Sequence, residues 1–216
     1  MLPVGRAGID GGDDLHAQIA AANGALLRAL EARVGSGAAD YPASAGQFVL
    51  DLWMAACGTM LNAAAGVPES RLVVGAGGNG RTFGVRLAGD SKRWLETPAP
   101  TPAGPLFDPA FAEIEILPAV GDSAVIDACG FGAMAMRSAP AVAEMMAPHL
   151  PAGFVERSET MLVGPHPAFA ESGIRVGIDA GRLAASGSSA VNLAMIDAAG
   201  NKGLVGRGTC LIPQLV

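Results

Sequence analysis

The sequence is poor in the residues that most often carry metal and redox chemistry. Three histidines and three cysteines stand among 216 residues. Cys57, Cys129 and Cys210 are odd in number and widely spaced, which gives neither a disulfide framework nor the paired spacing of a zinc site. With so few imidazoles a histidine-based metal centre is not expected, and no metal or cofactor is expected. Charge is scarce, at 16% of residues, and its balance is negative, net −6. Proteins that bind nucleic acid use basic patches to neutralise phosphates, so a nucleic-acid partner is not expected. Long apolar runs are missing too. The longest, Phe48 to Ala65, is broken by Asp51, Thr59 and Asn62 and falls short of a membrane span. Arg6 is followed by glycines and acids where a secretory leader would place its apolar core. The expectation is a cytoplasmic protein with no membrane partner.

What is present is apolar side chain and glycine. Half of the residues are hydrophobic, mean hydropathy is +0.38, and glycine occurs 30 times. That is enough apolar material for a sizeable core in one domain or two small ones. The glycines form no low-complexity tract or repeat. They fall between short apolar segments, as in a fold with many tight turns.

Hydrophobic periodicity divides the chain near residue 70. Leu15, Ile19, Ala22, Leu26, Leu27 and Leu30 share one helical face, with Asp13 or Asp14 placed to cap the helix. His16 sits in its first turn, as a surface or capping residue or as a catalytic one. A glycine- and alanine-rich connection, 35–44, leads to a second helix over 45–65. That helix is apolar nearly all round, which predicts burial or an oligomer interface. Gly66 and Pro68 terminate it. Residues 1–69 therefore read as a helical unit.

From Arg71 the period becomes two. Leu72–Val74 and Thr82–Leu87 read as strands around a hairpin loop, Gly75–Gly80. That loop has neither the lysine of a P-loop nor the following helix of a dinucleotide fingerprint. Lys92–Glu96 is a third strand, and five prolines between Thr97 and Pro109 prevent continuous pairing there. In the segment from Gly121 to Pro140, a polar turn, Gly121-Asp122-Ser123, leads to an apolar stretch, Ala124–Ile126, read as a buried strand. Gly130-Phe131-Gly132 follows, and a long helix is predicted from Gly132 to Leu150. A glycine turn opening a helix can present backbone N–H groups to an anion, or can serve only tight packing. Further strands are predicted over Thr160–Val163, Ala190–Ile196 and Gly203–Val205, with His166 held between prolines. Residues 70–216 thus read as an α+β domain, a mixed sheet with one long helix.

Several separated motifs, in order, resemble the C-terminal half of the AllG/YlbE/YahG family. They are Gly12-Asp13-Asp14-Leu15-His16, Met54-Ala55-Ala56-Cys57, Asn79 through Arg86, Arg93-Trp94 with Thr97-Pro98-Ala99, and Gly121 through Ala141. His166-Pro167-Ala168-Phe169, Gly177-Ile178-Asp179 and Asn192 complete the set. Departures from the family pattern fall near Ile19, near Gly78, at Asp127, where the family usually has glutamate, and near Asp197. The family's N-terminal domain is expected to be missing from this chain.

The resemblance implies a subunit of a carbamoyl-transferring enzyme of ureide and purine nitrogen catabolism. The reaction would be phosphorolysis of an N-carbamoyl compound such as oxalurate, giving carbamoyl phosphate. It implies a small anionic substrate or phosphate as ligand, and a homo-oligomer or a hetero-complex with other carbamoyltransferase subunits. His16 and His166 are the candidate proton-transfer groups, with Asp122 either orienting one of them or bonding its own turn. Gly78, Asn79, Gly80, Gly130 and Gly132 are candidate backbone donors, Arg86 a candidate planar fork, and Ser123 and Asn192 further substrate-binding candidates. The alternatives are a non-catalytic assembly or binding subunit, or a small ureide amidohydrolase. For the last, no nucleophile elbow is visible, and Cys129 beside an apolar segment reads better as a small buried hydrophobe.

Overall fold

The computed structural model describes residues 15–34 and 40–212, with side chains from Ile19 to Arg33 in the first helix. The described residues group into two compact units, one reaching to Ala56 and the other beginning at Cys57. The expected cap at Asp13 or Asp14 lies outside the described residues.

The first unit is helical. It holds α1 (Leu15–Val34), α2 (Asp40–Ser44) and the first turns of α3 (Phe48–Asn62). Ala22 and Leu26, one turn apart on α1, bury with Val49, and Ile19, Leu30, Phe48 and Leu52 pack around them. Asn23 is buried on the same helix. Its amide donates to the Pro42 and Ala45 carbonyls at 3.4 and 3.3 Å, and its oxygen accepts the Val49 N–H at 3.2 Å. A buried carboxamide needs such partners, and here they tie three helices together. Pro42 lies in the first turn of α2, where its missing N–H is no loss.

The second unit is built on antiparallel pairs. β1 (Val73–Asn79), β2 (Thr82–Leu87), β3 (Asp90–Pro98) and β4 (Val120–Gly121) form a sheet in the order β3-β2-β1-β4. Then come α4 (Ala124–Ala128), α5 (Pro140–Met146) and α6 (Phe154–Ser158). β5 (Leu162–Pro165) pairs with β6 (Arg175–Ile178). α7 (Ala180–Ser186) leads to a long hairpin of β7 (Ser189–Ile196) and β8 (Leu204–Ile212). The α+β class is borne out, but the single mixed sheet expected is, among the described residues, three sheets paired antiparallel throughout. Phe83, Val74, Ala124, Ala128 and Val191 are buried where β1, β2, α4 and β7 contribute to the core. The proline-rich segment lies along β8, bridging it only at Ala103–Thr209 and Leu106–Gly206.

Three local expectations are corrected. Residues Gly75–Asn79 are strand, not loop; β1 continues to Asn79 and the turn is confined to Gly80-Arg81. The segment pairs on both sides, Gly75–Gly78 with β2 and Gly78–Asn79 with β4, and the Ala119 carbonyl occupies the position of a Gly78 side chain. Ala124–Ala128 is a helix, not a strand. Its N–H groups bond back along the chain, Val125 to Asp122 and Ile126 to Ser123, and so short an apolar run carries no period to distinguish the two. The single helix expected over 132–150 is three pieces, a 3-10 segment Gly132–Ser138, then α5, then a 3-10 turn Ala147–His149. Pro140 pushes Ala139 out of helical geometry, to φ −137° and ψ 71°, and Pro148 starts the last piece.

Candidate functional site

The candidate residues of the second unit gather around α4. At its N-terminal end, β4 joins β1 through the pairs Gly78–Gly121 and Asn79–Val120. A side chain on Gly78 would fall on the Ala119 carbonyl, so glycine is required there, and one on Gly77 would come within 3.1 Å of the Gly121 carbonyl. The two glycine segments that stand more than forty residues apart in sequence are therefore one edge. Gly80 donates its N–H to Ala119 at 3.0 Å. Asn79 closes the β1–β2 turn, its oxygen accepting from Arg81 and Thr82 N–H at 2.9 and 2.8 Å. Its side chain is thus committed to the fold.

Ser123 precedes the first residue of α4 but does not cap it with its side chain. Its hydroxyl donates instead to the Asn192 carbonyl on β7 at 3.3 Å. The Asn192 side chain is fixed by Thr209 on β8, whose hydroxyl donates to its Oδ1 at 3.0 Å. Among the described residues its Nδ2 has no acceptor, which leaves two N–H donors on a half-buried, oriented carboxamide. Asp122 is exposed, and its backbone carbonyl accepts the Val125 N–H at 3.0 Å.

Asp127, near the other end of α4, is the residue that sequence reasoning left out of the site. It is 1% exposed. Its Oδ1 accepts the Ala133 N–H at 2.7 Å and the Asn192 N–H at 3.3 Å. Burial pushes its carboxyl up to about 8, with the Ala133, Asn192 and its own backbone N–H groups acting against that rise. The one available clue was an acid inside an apolar run, Ala124–Ala128.

The glycine turn beyond it is explained by packing. Gly130 has φ +103°, and the Arg175 carbonyl fills its side-chain position; Gly132 has φ +55°, and Asp127 Oδ1 fills its own. Gly130 and Phe131 donate their N–H groups inside the turn, to Asp127 and Ile126 at 2.9 and 3.1 Å. Phe131 meets His166 at 5.4 Å between ring centroids, and His166 meets Phe169 at 5.0 Å. His166 Nδ1 accepts the Ala168 N–H at 3.1 Å, so the neutral ring carries its proton on Nε2. Burial lowers its pKa.

Arg86, also in the second unit, stands apart from this group. Arg86 pairs in register with Gly75, three residues along β1 from Gly78, roughly 10 Å away. Its guanidinium lies 5.0 Å from the Trp94 ring centroid and donates to the Ser91 carbonyl at 3.3 Å. His16 belongs to α1 in the first unit, and its side chain lies outside the described residues.

A family model described as oxamate carbamoyltransferase subunit AllG matches residues 1–123 of this chain. The chain belongs to the AllG family. Its match to the family model takes in the whole four-stranded sheet and ends at Ser123. Oxamate carbamoyltransferase subunit AllG of Escherichia coli (strain K12) is 28% identical over 227 residues, covering 95% of this chain and 53% of that protein. The uncharacterized protein YahG of the same organism is 30% identical over 182 residues, covering 78% of this chain and 37% of YahG. The chain therefore spans about half or less of the length of these relatives. A conserved protein of unknown function from Enterococcus faecalis V583, known from a crystal structure, shares the fold with a TM-score of 0.75 at 23% identity, over 98% of this chain and 54% of that one. Among the described residues no helix is long and apolar enough to cross a membrane.

Proposed function

We propose that the chain is a subunit of a carbamoyl-transferring enzyme of ureide nitrogen catabolism, holding a small anion at the α4–β7 junction. Membership of the AllG family, one of whose relatives is named as an oxamate carbamoyltransferase subunit, is the observation that carries this reading. The oriented Asn192 carboxamide beside Ser123 and the Gly78–Gly121 edge is the geometry that fits it.

The reaction is phosphorolysis of an N-carbamoyl acid such as oxalurate. A phosphate oxygen bonds to the carbamoyl carbon, the C–N bond to the oxamate nitrogen breaks, and carbamoyl phosphate leaves with oxamate. Charge builds on the carbamoyl oxygen in the transition state, and the Asn192 Nδ2 N–H groups are the proposed donors to it. The departing nitrogen needs a proton. His166, neutral with its proton on Nε2, is the group of suitable chemistry, and Asp122 is the further candidate for proton handling.

A second reading, a non-catalytic assembly subunit, draws on the commitment of Asn79, Arg86 and the Gly130–Phe131 N–H groups to the fold itself. One assay separates the two. The purified chain, alone and mixed with the proteins encoded beside it, is given oxalurate and phosphate, and carbamoyl phosphate is measured. Activity that needs this chain and falls in an Asn192→Asp variant supports the first reading. Activity in the mixture that is unchanged by Asn192→Asp and by His166→Phe leaves only the second.

A further inference from the structure

A cleft of about 430 Å³ opens in the second unit between the C-terminal end of α3, the lead into β1, and the β5–β6 pair. Sites for small molecules run from roughly 300 to 1,000 Å³, so the cleft has the size of one. Met60, Leu61, Leu72, Val163 and Val176 give it an apolar wall, and Met60 and Val163 are exposed, so the wall is open to a solute. Glu69, Arg71 and Asp179 line it with charge. Among the described residues the Glu69 and Arg71 side chains make no hydrogen bond or ion pair. Asp179 uses Oδ1 to accept the Arg182 N–H at 2.9 Å, and its Oδ2 is left over. The backbone beneath these charges is fixed. Glu69 has φ +60°, which is uncommon for a residue with a side chain and is held only where the surroundings determine it. They do so here, because the Gly89 N–H donates to the Ser70 carbonyl at 2.9 Å and the bare face of Gly89 lies against Glu69 and Ser70. The Arg71 carbonyl accepts the Ala180 N–H at 2.9 Å, and the Asp179 N–H donates to Met161 at 2.9 Å. The Arg71 guanidinium lies over Gly181, where an added side chain would fall on it.

We propose that this cleft binds a free α-amino acid with an apolar side chain. The planar Arg71 fork takes the carboxylate. Glu69 and Asp179 Oδ2 take the ammonium group, and the side chain of the ligand lies against Met60, Leu61 and Val163. One cation set against two acids disfavours a phosphate or a dicarboxylate, and a neutral apolar molecule would use none of the three charges. A zwitterion with an apolar tail uses all of them and the wall as well. The cleft is a different place from the proposed anion site. Ser123 precedes α4, whereas Cys129, which caps the other end of that helix, lines the cleft. Binding of the amino acid therefore does not rest on the carbamoyl-transfer reading.

The test is calorimetric titration of the whole chain with L-valine, L-leucine, L-methionine and L-phenylalanine at millimolar concentrations. At least one is expected to bind saturably. For leucine, 4-methylpentanoate lacks the ammonium group and 3-methylbutylamine lacks the carboxylate. The analogues of the best amino acid, made in the same way, should each bind at least about tenfold more weakly, the loss of one charge-assisted contact. Arg71→Ala should weaken the amino acid by a similar factor, with Arg71→Lys recovering part of it, and Glu69→Gln should weaken it as well. Arg71 and Glu69 are exposed and unpaired, so urea unfolding of these variants should stay close to wild type. Asn192→Asp, which changes the proposed anion site, should leave amino-acid affinity unchanged. The absence of saturable binding by all four amino acids overturns the proposal, and this is read on wild type. An analogue that binds as tightly as its amino acid overturns it too, as does an affinity indifferent to both Arg71→Ala and Glu69→Gln, or one lost with Asn192→Asp.

Discussion

Asp127 Oδ1 accepts the Ala133 N–H at 2.7 Å across the bare face of Gly132. The same oxygen accepts the Asn192 N–H at 3.3 Å, so one buried carboxyl links the glycine turn to the middle of β7. The glycine and the acid depend on each other, since a side chain at Gly132 would occupy the space of the carboxyl.

That carboxyl predicts how stability varies with pH. Its folded pKa is raised from 3.8 to about 8, so between these values the folded chain keeps a proton that the unfolded chain has lost. Stability therefore falls as pH rises through this window, by up to about 1.4 kcal/mol per unit. Asp127→Asn keeps an oxygen for the Ala133 N–H and carries no charge, so its denaturant-unfolding curve should lack this slope. Parallel pH profiles for the two proteins would show that Asp127 is ionised in the fold.

His166 predicts a slope of the opposite sign at lower pH. Its folded pKa is below 6.5, because burial disfavours the charged ring. The stability it contributes is present above 6.5 and is lost as pH falls from there toward the folded value. His166→Phe should fit between Phe131 and Phe169, lose about 1 kcal/mol with the Ala168 bond, and remove the acid-side slope. A slope unchanged in the variant assigns it to another group.

The glycines of the β1–β4 edge separate two kinds of requirement. Gly78 faces the Ala119 carbonyl, so Gly78→Ala must push β4 away and should cost about 2–4 kcal/mol. Gly121 has φ +113° with open space around it, so Gly121→Ala meets backbone strain alone, about 1–2 kcal/mol. Urea unfolding of both variants checks the order; equal costs would mean that β4 yields freely.

These glycines also show where the sequence was legible. The change of period near residue 70 located the first helices before it and the first strands after it. The clustering of Gly75–Gly80 marked a place of close approach, but a run of glycines has no side-chain alternation from which to read a strand. What completes β1 there is pairing with β2 and, at Gly78 and Asn79, with β4 about forty residues away, which no local pattern contains. The site was legible in the same partial way. Ser123 bonds the Asn192 carbonyl, and Asp127 was hidden in an apolar run because its partners, Ala133 and Asn192, are set by tertiary packing. Arg86 has the chemistry of an anion fork, and only the strand register shows Trp94 and Ser91 beside it.

Arg86 and Asn192 therefore make a paired test of where an anion binds. Arg86 stacks on Trp94 and donates to Ser91, so Arg86→Ala should cost about 1–2 kcal/mol of stability from the lost cation–π contact and hydrogen bond. Arg86→Lys restores charge without the planar group and should recover only part of that. Neither change should move phosphate or oxamate affinity, measured by calorimetry, by more than about twofold, because roughly 10 Å of strand separates Arg86 from the Gly78 edge. Asn192→Asp keeps an oxygen for Thr209 but replaces the two N–H donors with an acceptor and a negative charge. It should weaken binding of both anions by at least about tenfold, the loss of roughly one charge-assisted hydrogen bond. Anion affinity that falls with Arg86→Ala and survives Asn192→Asp would move the binding site to the β2–β3 end of the sheet and away from α4.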